Sequence, residues 1–494
     1  MRPLAIALFF ASALAIAACA GNTDSISLDN KLQKIEHIVV IYGENRSFDN
    51  LYGNFPGANG LSRANAANTT QVDRDGSPLA TLPPVWGGVN ASIPQAMTAG
   101  MANKSFRIDD AAGFNLPYTV VTRDLVHRFY NNQMQIDGGK LDKYAAFSDA
   151  GGLSMGSYDG SSLPLYKLAQ QYTLADNFFM GAFGGSFLNH FWLVCACTPV
   201  YPDAAASPAK TRISAVNADG VTLTLAADSP ASALLGAPKY VSDNALTPDG
   251  FAVNSMQPPY QPSGNAPAAG GDAKLADPNN SSTLPPQSAK TIGDTLTTKG
   301  VTWAWYSGAW TQASSDRSVI YNNSVPNFQA HHNPFNYFAR FAPGKADRAA
   351  YLKDYNDMVA GLAAGTLPAV SFYKPQGNLN EHPGYTDVAS GDAHIADVVA
   401  KIQASPLWSS TVIVITYDEN GGYWDHVAPP RADRWGPGTR VPTLIISPFA
   451  KKGFVDSTSY DTTSIIKFIT RRFALEPLPG ARATAGDLTN ALDF

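Results

Sequence analysis

Two short apolar runs, each ending in acidic residues, constrain this chain most. In 411–427, TVIVITYDENGGYWDHV, the run Val412-Ile413-Val414-Ile415 gives way at once to Asp418, Glu419 and Asn420. Gly421-Gly422 and Trp424-Asp425-His426 follow. Such a mostly β-branched run suits a strand buried on both faces, as in a parallel sheet. Polar groups just past the C-terminal end of such a strand stand where open α/β sheets place their sites. The glycine pair lets the backbone turn sharply there. The stretch 34–53, KIEHIVVIYGENRSFDNLYG, has the same design: Ile38-Val39-Val40-Ile41, then Glu44 and Asn45. As neighbouring strands they bring Glu44, Asn45, Asp418 and Glu419 together. Crowded carboxylates repel unless a cation sits among them. The oxygen-rich set favours a hard divalent ion, magnesium, calcium or manganese over zinc.

The chain has 494 residues, 45% of them hydrophobic. That suffices for one large α/β domain with an insertion, or for two domains. A net charge of -5, with no basic stripe, argues against a nucleic-acid partner. It leaves room for a small anionic substrate.

Arg2 followed by the apolar run 4–18 reads as an export signal over 1–20, too short to span a membrane with ordinary flanks. Ile16-Ala17-Ala18-Cys19 has the form of a lipoprotein box, whereas Ala18-Cys19-Ala20 has that of an A-x-A cleavage site. The expected location is therefore the periplasm, the cell envelope as a lipoprotein, or the exterior. Membrane contact is expected only through an N-terminal lipid. Cys195 and Cys197 stand two apart. Free buried thiols and a tight bridge are both open for them.

Along the chain, 54–104 reads as a long surface loop and 162–175 as an amphipathic helix. A catalytic α/β region over 34–200 is followed at 201–285 by an Ala-, Pro-, Gly- and Ser-rich insertion lobe. In that lobe 211–216 and 221–225 flank a turn and predict a β-hairpin. The α/β pattern resumes over 286–475, and 476–494 forms a tail. Asp392 is placed to cap a helix over 393–403, with His394 in its first turn. Asp425 and His426 lie near the acidic end, and a structural Asp–His contact is favoured for them. The glycine pair before Ser186 permits a tight turn that exposes its hydroxyl. A helix starting there attracts phosphate through its amides, although an N-capping serine has the same spacing.

IVVIYGENRSFDNLYG, ADNFFMGAFGGSFLNHFWLV and VITYDENGGYWDHVAPP resemble motifs of the bacterial phosphoesterase family of acid phosphatases and phospholipases C. The likeness runs from about Lys34 to about Phe473. It implies an α/β core related to alkaline phosphatase and the sulfatases: three layers, a mostly parallel central sheet and an inserted, mainly β or irregular lobe. It implies a divalent metal held by Glu44, Asn45, Ser186, Asp418 and Glu419. Ser186 is then the nucleophile, with His127, His331, His332 and His382 binding phosphoryl oxygens or protonating the leaving group.

The expected function is an exported acid phosphatase that hydrolyses phosphomonoesters through a phosphoserine. Histidines are protonated below about pH 6.5, whence the expected acid optimum. A phospholipase C acting on a phospholipid headgroup is the first alternative. The family's phospholipases continue into β domains, and an end at Phe494 favours the phosphatase. A non-catalytic metal-binding surface lipoprotein is the second alternative.

Overall fold

His37–Gly43 (β1) and Thr411–Tyr417 (β6) lie side by side and parallel in the computed structural model, which describes residues 28–87 and 93–494. The export signal expected over 1–20 lies outside the described residues. Between β1 and β6 in sequence come Thr173–Ala175 (β2), Trp303–Ser307 (β3), Leu352–Asp354 (β4) and Val370–Lys374 (β5). Thr443–Ile446 (β7) and Phe454–Asp456 (β8) follow. All eight form one sheet in the order β8-β2-β7-β6-β1-β5-β3-β4. Every pairing is parallel except the two made by β7. The central strands β1 and β6 are fully buried over their apolar runs, because helices cover both faces.

Seven helices of seven or more residues are described: Phe129–Ile136 (α1), Pro164–Gln171 (α2), Ser186–Cys195 (α3), Ile292–Thr298 (α4), Tyr355–Ala364 (α5), Val388–Ala404 (α6) and Thr462–Phe473 (α7). Adjacent strand residues point to opposite faces. Tyr42 meets His190 of α3, while the backbone at Gly43 faces Ile395 of α6. Helices α3, α4 and α7 therefore cover one face and α2, α5 and α6 the other. The core is an α/β three-layer structure, as expected.

Several local expectations are corrected. The helix expected over 393–403 begins earlier, at Val388, because Asp387 accepts from the Ser390 amide and caps it. Asp392 is instead buried inside that helix, accepting from the Leu165 amide at 3.1 Å. His394 sits in the second turn and meets the Tyr373 hydroxyl at 2.6 Å, away from the acidic strand ends. The hairpin expected in the lobe is reduced to an isolated bridge between Val216 and Leu223. Asp219 holds its turn by accepting from the Val221 and Thr222 amides. The expected surface loop 54–104 is partly internal, with Leu79, Leu82 and Val85 buried. Cys195 and Cys197 form a disulfide, which resolves the two alternatives.

Asp425 and His426 belong to a buried ionic knot. His426 Nδ1 lies 2.6 Å from Asp49 Oδ2. Arg440 bridges Asp49 at 3.1 Å and Asp425 at 3.1 Å, with its guanidinium over the Phe48 ring. Asp49, Asp425 and His426 are close enough together to hold a metal ion, but Arg440 already supplies the positive charge. His426 thus contacts Asp49 rather than Asp425. The knot fastens the turn after β1 to the loop after β6. Removing one partner from a buried ion pair strands the other, at a cost of roughly 3–5 kcal/mol. Arg440→Ala is expected to lower unfolding stability by about that much in a denaturant titration. A change under about 1 kcal/mol would show that the knot is not a fastener.

Candidate functional site

The register of the two central strands builds the site. Gly43 of β1 is level with Tyr417 of β6, so Glu44 and Asp418 emerge side by side at the sheet's C-terminal edge. Asn45 follows with a left-handed backbone (φ 56°), and its amide donates to Asp418 Oδ1 at 3.2 Å. Gly421 has φ 61° and lies against the Asn45 carbonyl, where a Cβ would come within 2.4 Å. The turn therefore closes only with glycine. Glu44, Asn45, Asp418 and Glu419 all have 0% exposure and follow the same edge of the sheet.

Ser186 joins them from α3. Gly185 is the N-cap of that helix and Ser186 its first residue, with no side-chain cap bond. The capping alternative is thus set aside. Gly184 has φ 89°, and a Cβ there would meet the Phe129 amide at 2.4 Å. The glycine pair lets the helix start press against 127–129. Ser186 Oγ donates to Asn45 Oδ1 at 3.3 Å. It also lines a cleft of about 210 Å³ with His127, His331 and His382, and with Arg128 and Arg212. Arg212, Asn244 and Asn254, which lies on the same cleft, come from the 201–285 region.

The histidines divide. His127 faces Glu419, Nε2 to Oε1 at 3.6 Å. Burial opposes its charge, yet Glu419 and Asp124 raise it to about 9. His331 packs its ring against Tyr321, whose hydroxyl is 2.9 Å from Nδ1. His382 donates from Nδ1 to the Pro383 carbonyl, and its Nε2 lies 3.8 Å from Glu44 Oε2. His332 does not reach the cleft. It is buried behind Glu44, with Nδ1 2.8 Å from Oε1, because the 330–332 turn directs it inward. Burial holds His331 and His382 below the usual histidine range and His332 down at about 4. Asp124, His127 and His382 carry ligand atoms within 4.8 Å of one another, a set able to hold a cation.

Residues 35–476 match the family model described as the phosphoesterase family. The chain belongs to that family. It is similar to phospholipase C B of Mycobacterium tuberculosis, at 25% identity over 94% of this chain and 78% of the relative. It is likewise similar to a non-hemolytic phospholipase C of Burkholderia pseudomallei, at 24% identity over 94% of this chain and 59% of the relative. Among solved structures, a Vibrio parahaemolyticus protein of the alkaline phosphatase superfamily aligns at 11% identity and TM-score 0.33, over 67% of this chain and 64% of that one. This phosphoesterase hydrolyses phosphoric ester bonds, as its family does.

Arg128 and Arg212 of the cleft escape the motif reading, as do Lys374 and His190. Lys374 ends β5, next to β1 in the sheet, and its Nζ lies 2.7 Å from Glu44 Oε1 and 3.7 Å from Asp418 Oδ2. A lysine closing a buried strand at this same edge was the available signal. His190 lies one turn after Ser186, donates from Nδ1 to the Ser186 carbonyl at 2.7 Å, and stacks on His332. Its i,i+4 spacing from Ser186 was the signal. Burial presses it well below the usual range.

Burial alone would raise Glu44, but His332 and Lys374 hold it well below the carboxylate range. Asp418, where burial outweighs Lys374, is lifted to about 6, and burial raises Glu419 well above its ordinary value. Asp418 Oδ2 and Glu419 Oε1 are buried without hydrogen-bond partners. Unpartnered carboxylate oxygens beside Asn45 Oδ1 and Ser186 Oγ are donors of the kind a hard divalent cation takes, so the residues fit such an ion.

Lys374→Met is expected to cost roughly 3 kcal/mol at neutral pH by leaving Glu44 short of its cation. A depressed carboxyl contributes stability above its unfolded value, lost as pH falls through the native one. The difference between wild type and variant should therefore shrink below about pH 4.5. Denaturant midpoints at pH 3.5 and 7 measure it, and an equal gap at both would contradict the pairing.

Proposed function

We propose that the chain is an exported phosphomonoesterase that works through a Ser186 phosphoenzyme. The observation that carries this is the position of Ser186: first in its helix, beside Asn45, in a cleft lined by His127, Arg128 and Arg212. The helix amides and dipole favour an anion at that point. A monoester dianion needs more positive charge than a diester, and Arg128, Arg212 and a protonated His127 supply it at the cleft. Export is supported by the apolar run near the N-terminus. Among the described residues no helix is long and apolar enough to cross a membrane.

Glu44, Asn45, Asp418 and Glu419 would hold a divalent cation, which when bound lowers the pKa of a hydroxyl beside it and offsets phosphoryl charge. Ser186 Oγ attacks phosphorus and the bond to the ester oxygen breaks. The hydroxyl proton passes to a carboxylate, for which Asp418 is placed. His127, cationic through neutral pH, gives its proton to the leaving oxygen. Water then cleaves the phosphoserine and returns Ser186. His332 and Lys374 act by holding Glu44, and His331 and His382 contact the phosphoryl oxygens as neutral groups.

This changes the expected pH profile. Three of the four histidines named from sequence sit below the usual range, so they do not generate an acid optimum. His127, which faces Glu419 and Asp124, is the one of the four whose protonated form its neighbours favour. The second reading is a phospholipase C, favoured by the names of the relatives that match most of the chain.

Turnover of p-nitrophenyl phosphate by the full chain, beside p-nitrophenyl phosphorylcholine, tests both. Ser186→Ala is expected to lose about a thousandfold or more in kcat, and chelator to abolish turnover. Monoester hydrolysis that survives Ser186→Ala would overturn the mechanism, and preference for the choline diester would establish the second reading. The alkaline limb of the kcat profile should disappear in His127→Gln. A limb unmoved in that variant would remove His127 as the acid.

A further inference from the structure

Tyr385, half-buried, takes no part in the phosphoryl chemistry, yet it touches two groups that do, His382 and Glu44. The turn 382–386 puts it there. The Thr386 amide donates to the His382 carbonyl at 3.1 Å, and the Gly384 amide donates to the Thr122 carbonyl at 2.7 Å. The chain therefore curls back after Pro383 and lays residue 385 over residue 382. The Tyr385 ring stacks on the His382 imidazole, with centroids 4.2 Å apart and planes 20° from parallel. Its hydroxyl donates to Glu44 Oε2 at 3.5 Å, the carboxylate oxygen that His382 Nε2 faces at 3.8 Å.

A histidine ring does not orient itself, because its outer torsion is broad and close to two-fold. The Nδ1 bond to the Pro383 carbonyl holds one edge of the His382 ring and leaves the ring able to tilt about it. Two neighbours limit that tilt. His127 meets the ring edge-on, with centroids 5.6 Å apart and planes 70° apart. Tyr385 covers a face: tilting toward it is blocked by contact, and tilting away forfeits the contact. His331 has the same arrangement, since Tyr321 stacks on it at 5.6 Å and 24°. Each of the two cleft histidines assigned to the phosphoryl oxygens thus carries a tyrosine on one face.

We propose that Tyr385 is a positioning residue, which sets the plane of His382 and through it the direction of Nε2 at the cleft. The proposal rests on the reading of His382 as a contact of the phosphoryl oxygens. Tyr385 acts through His382 and meets no reacting atom. The flat face of the ring carries the effect, because a hydrogen bond as long as that to Glu44 is weak.

Turnover of p-nitrophenyl phosphate by the full chain, with divalent metal added, is measured for wild type, Tyr385→Leu, Tyr385→Phe, His382→Ala and the double variant of Tyr385→Leu with His382→Ala. Tyr385→Leu is expected to lose about tenfold in kcat/KM, the upper scale of one aromatic pair. Tyr385→Phe keeps the ring face and should lose no more than about twofold. His382→Ala should lose at least as much as Tyr385→Leu. The double variant should be no slower than His382→Ala, because the tyrosine then has nothing left to position. A tyrosine that only packs would cost the double variant its full additional factor.

An unchanged Tyr385→Leu, losses that multiply in the double variant, or a Tyr385→Phe as impaired as Tyr385→Leu would each overturn the positioning role. A loss in His382→Ala alone would still leave the phosphoryl contact standing. A silent His382→Ala removes that contact and the positioning role with it. Tyr385→Met, a flexible chain without a flat face, replaces Tyr385→Leu if the latter does not fold. If wild type hydrolyses no ester, titration calorimetry with inorganic phosphate on the same proteins decides. The same non-additive pattern in Kd supports the proposal, and additive losses or absence of binding overturn it.

Discussion

Burying carboxylates at the end of two parallel strands is the constraint on which the rest of this structure depends. The level pairing of Gly43 with Tyr417 leaves Glu44 and Asp418 no choice but to emerge as neighbours, with Asn45 and Glu419 beside them. An ionised carboxylate is costly to take out of water unless paired. The surrounding molecule supplies partners: Lys374 from the adjacent strand β5 and His127 facing Glu419 bring charge, and His332, from a turn on the helix α3 side, brings a ring nitrogen to Glu44. Each of these comes from a distant part of the chain.

The same constraint explains why backbone strain gathers here. Asn45 adopts a left-handed conformation, and Gly184 and Gly421 allow close backbone approach. Such conformations cost on the order of 1–3 kcal/mol where a side chain is present, and they persist because the packing around them leaves no alternative. The Arg440 knot has the corresponding structural role one layer back. It joins the two loops that carry the acidic residues, so that their relative position does not depend on the strands alone.

The region 201–285 has little regular structure, yet it contributes Arg212, Asn244 and Asn254 to the cleft and Tyr240 and Asp243 to an adjoining cavity. A rigid sheet edge presents the reacting groups, and an irregular segment shapes what they meet. Loops on a rigid scaffold commonly carry specificity in this way.

The sequence by itself determined the two central strands and the acidic residues at their ends, because a β-branched apolar run has few other places to go than a covered sheet; that the two strands are neighbours was decided by the fold. The glycine pair left Ser186 as either a helix start or a capping residue, and the structure makes it the first residue of α3. Charge placement across the fold was decided only by the tertiary structure. Lys374 and His190 became neighbours of the carboxylates through sheet order and helix packing, which no local spacing encodes. His332 and His331 are adjacent in sequence, yet a single tight turn sends one behind Glu44 and the other into the cleft. Asp425 and His426 lie beside the acidic motif and still turn away from it, because Arg440, fourteen residues beyond His426, offers a fully buried counter-charge. The protonation of each histidine follows from burial and from which carboxylate it meets, quantities that exist only once the chain has folded.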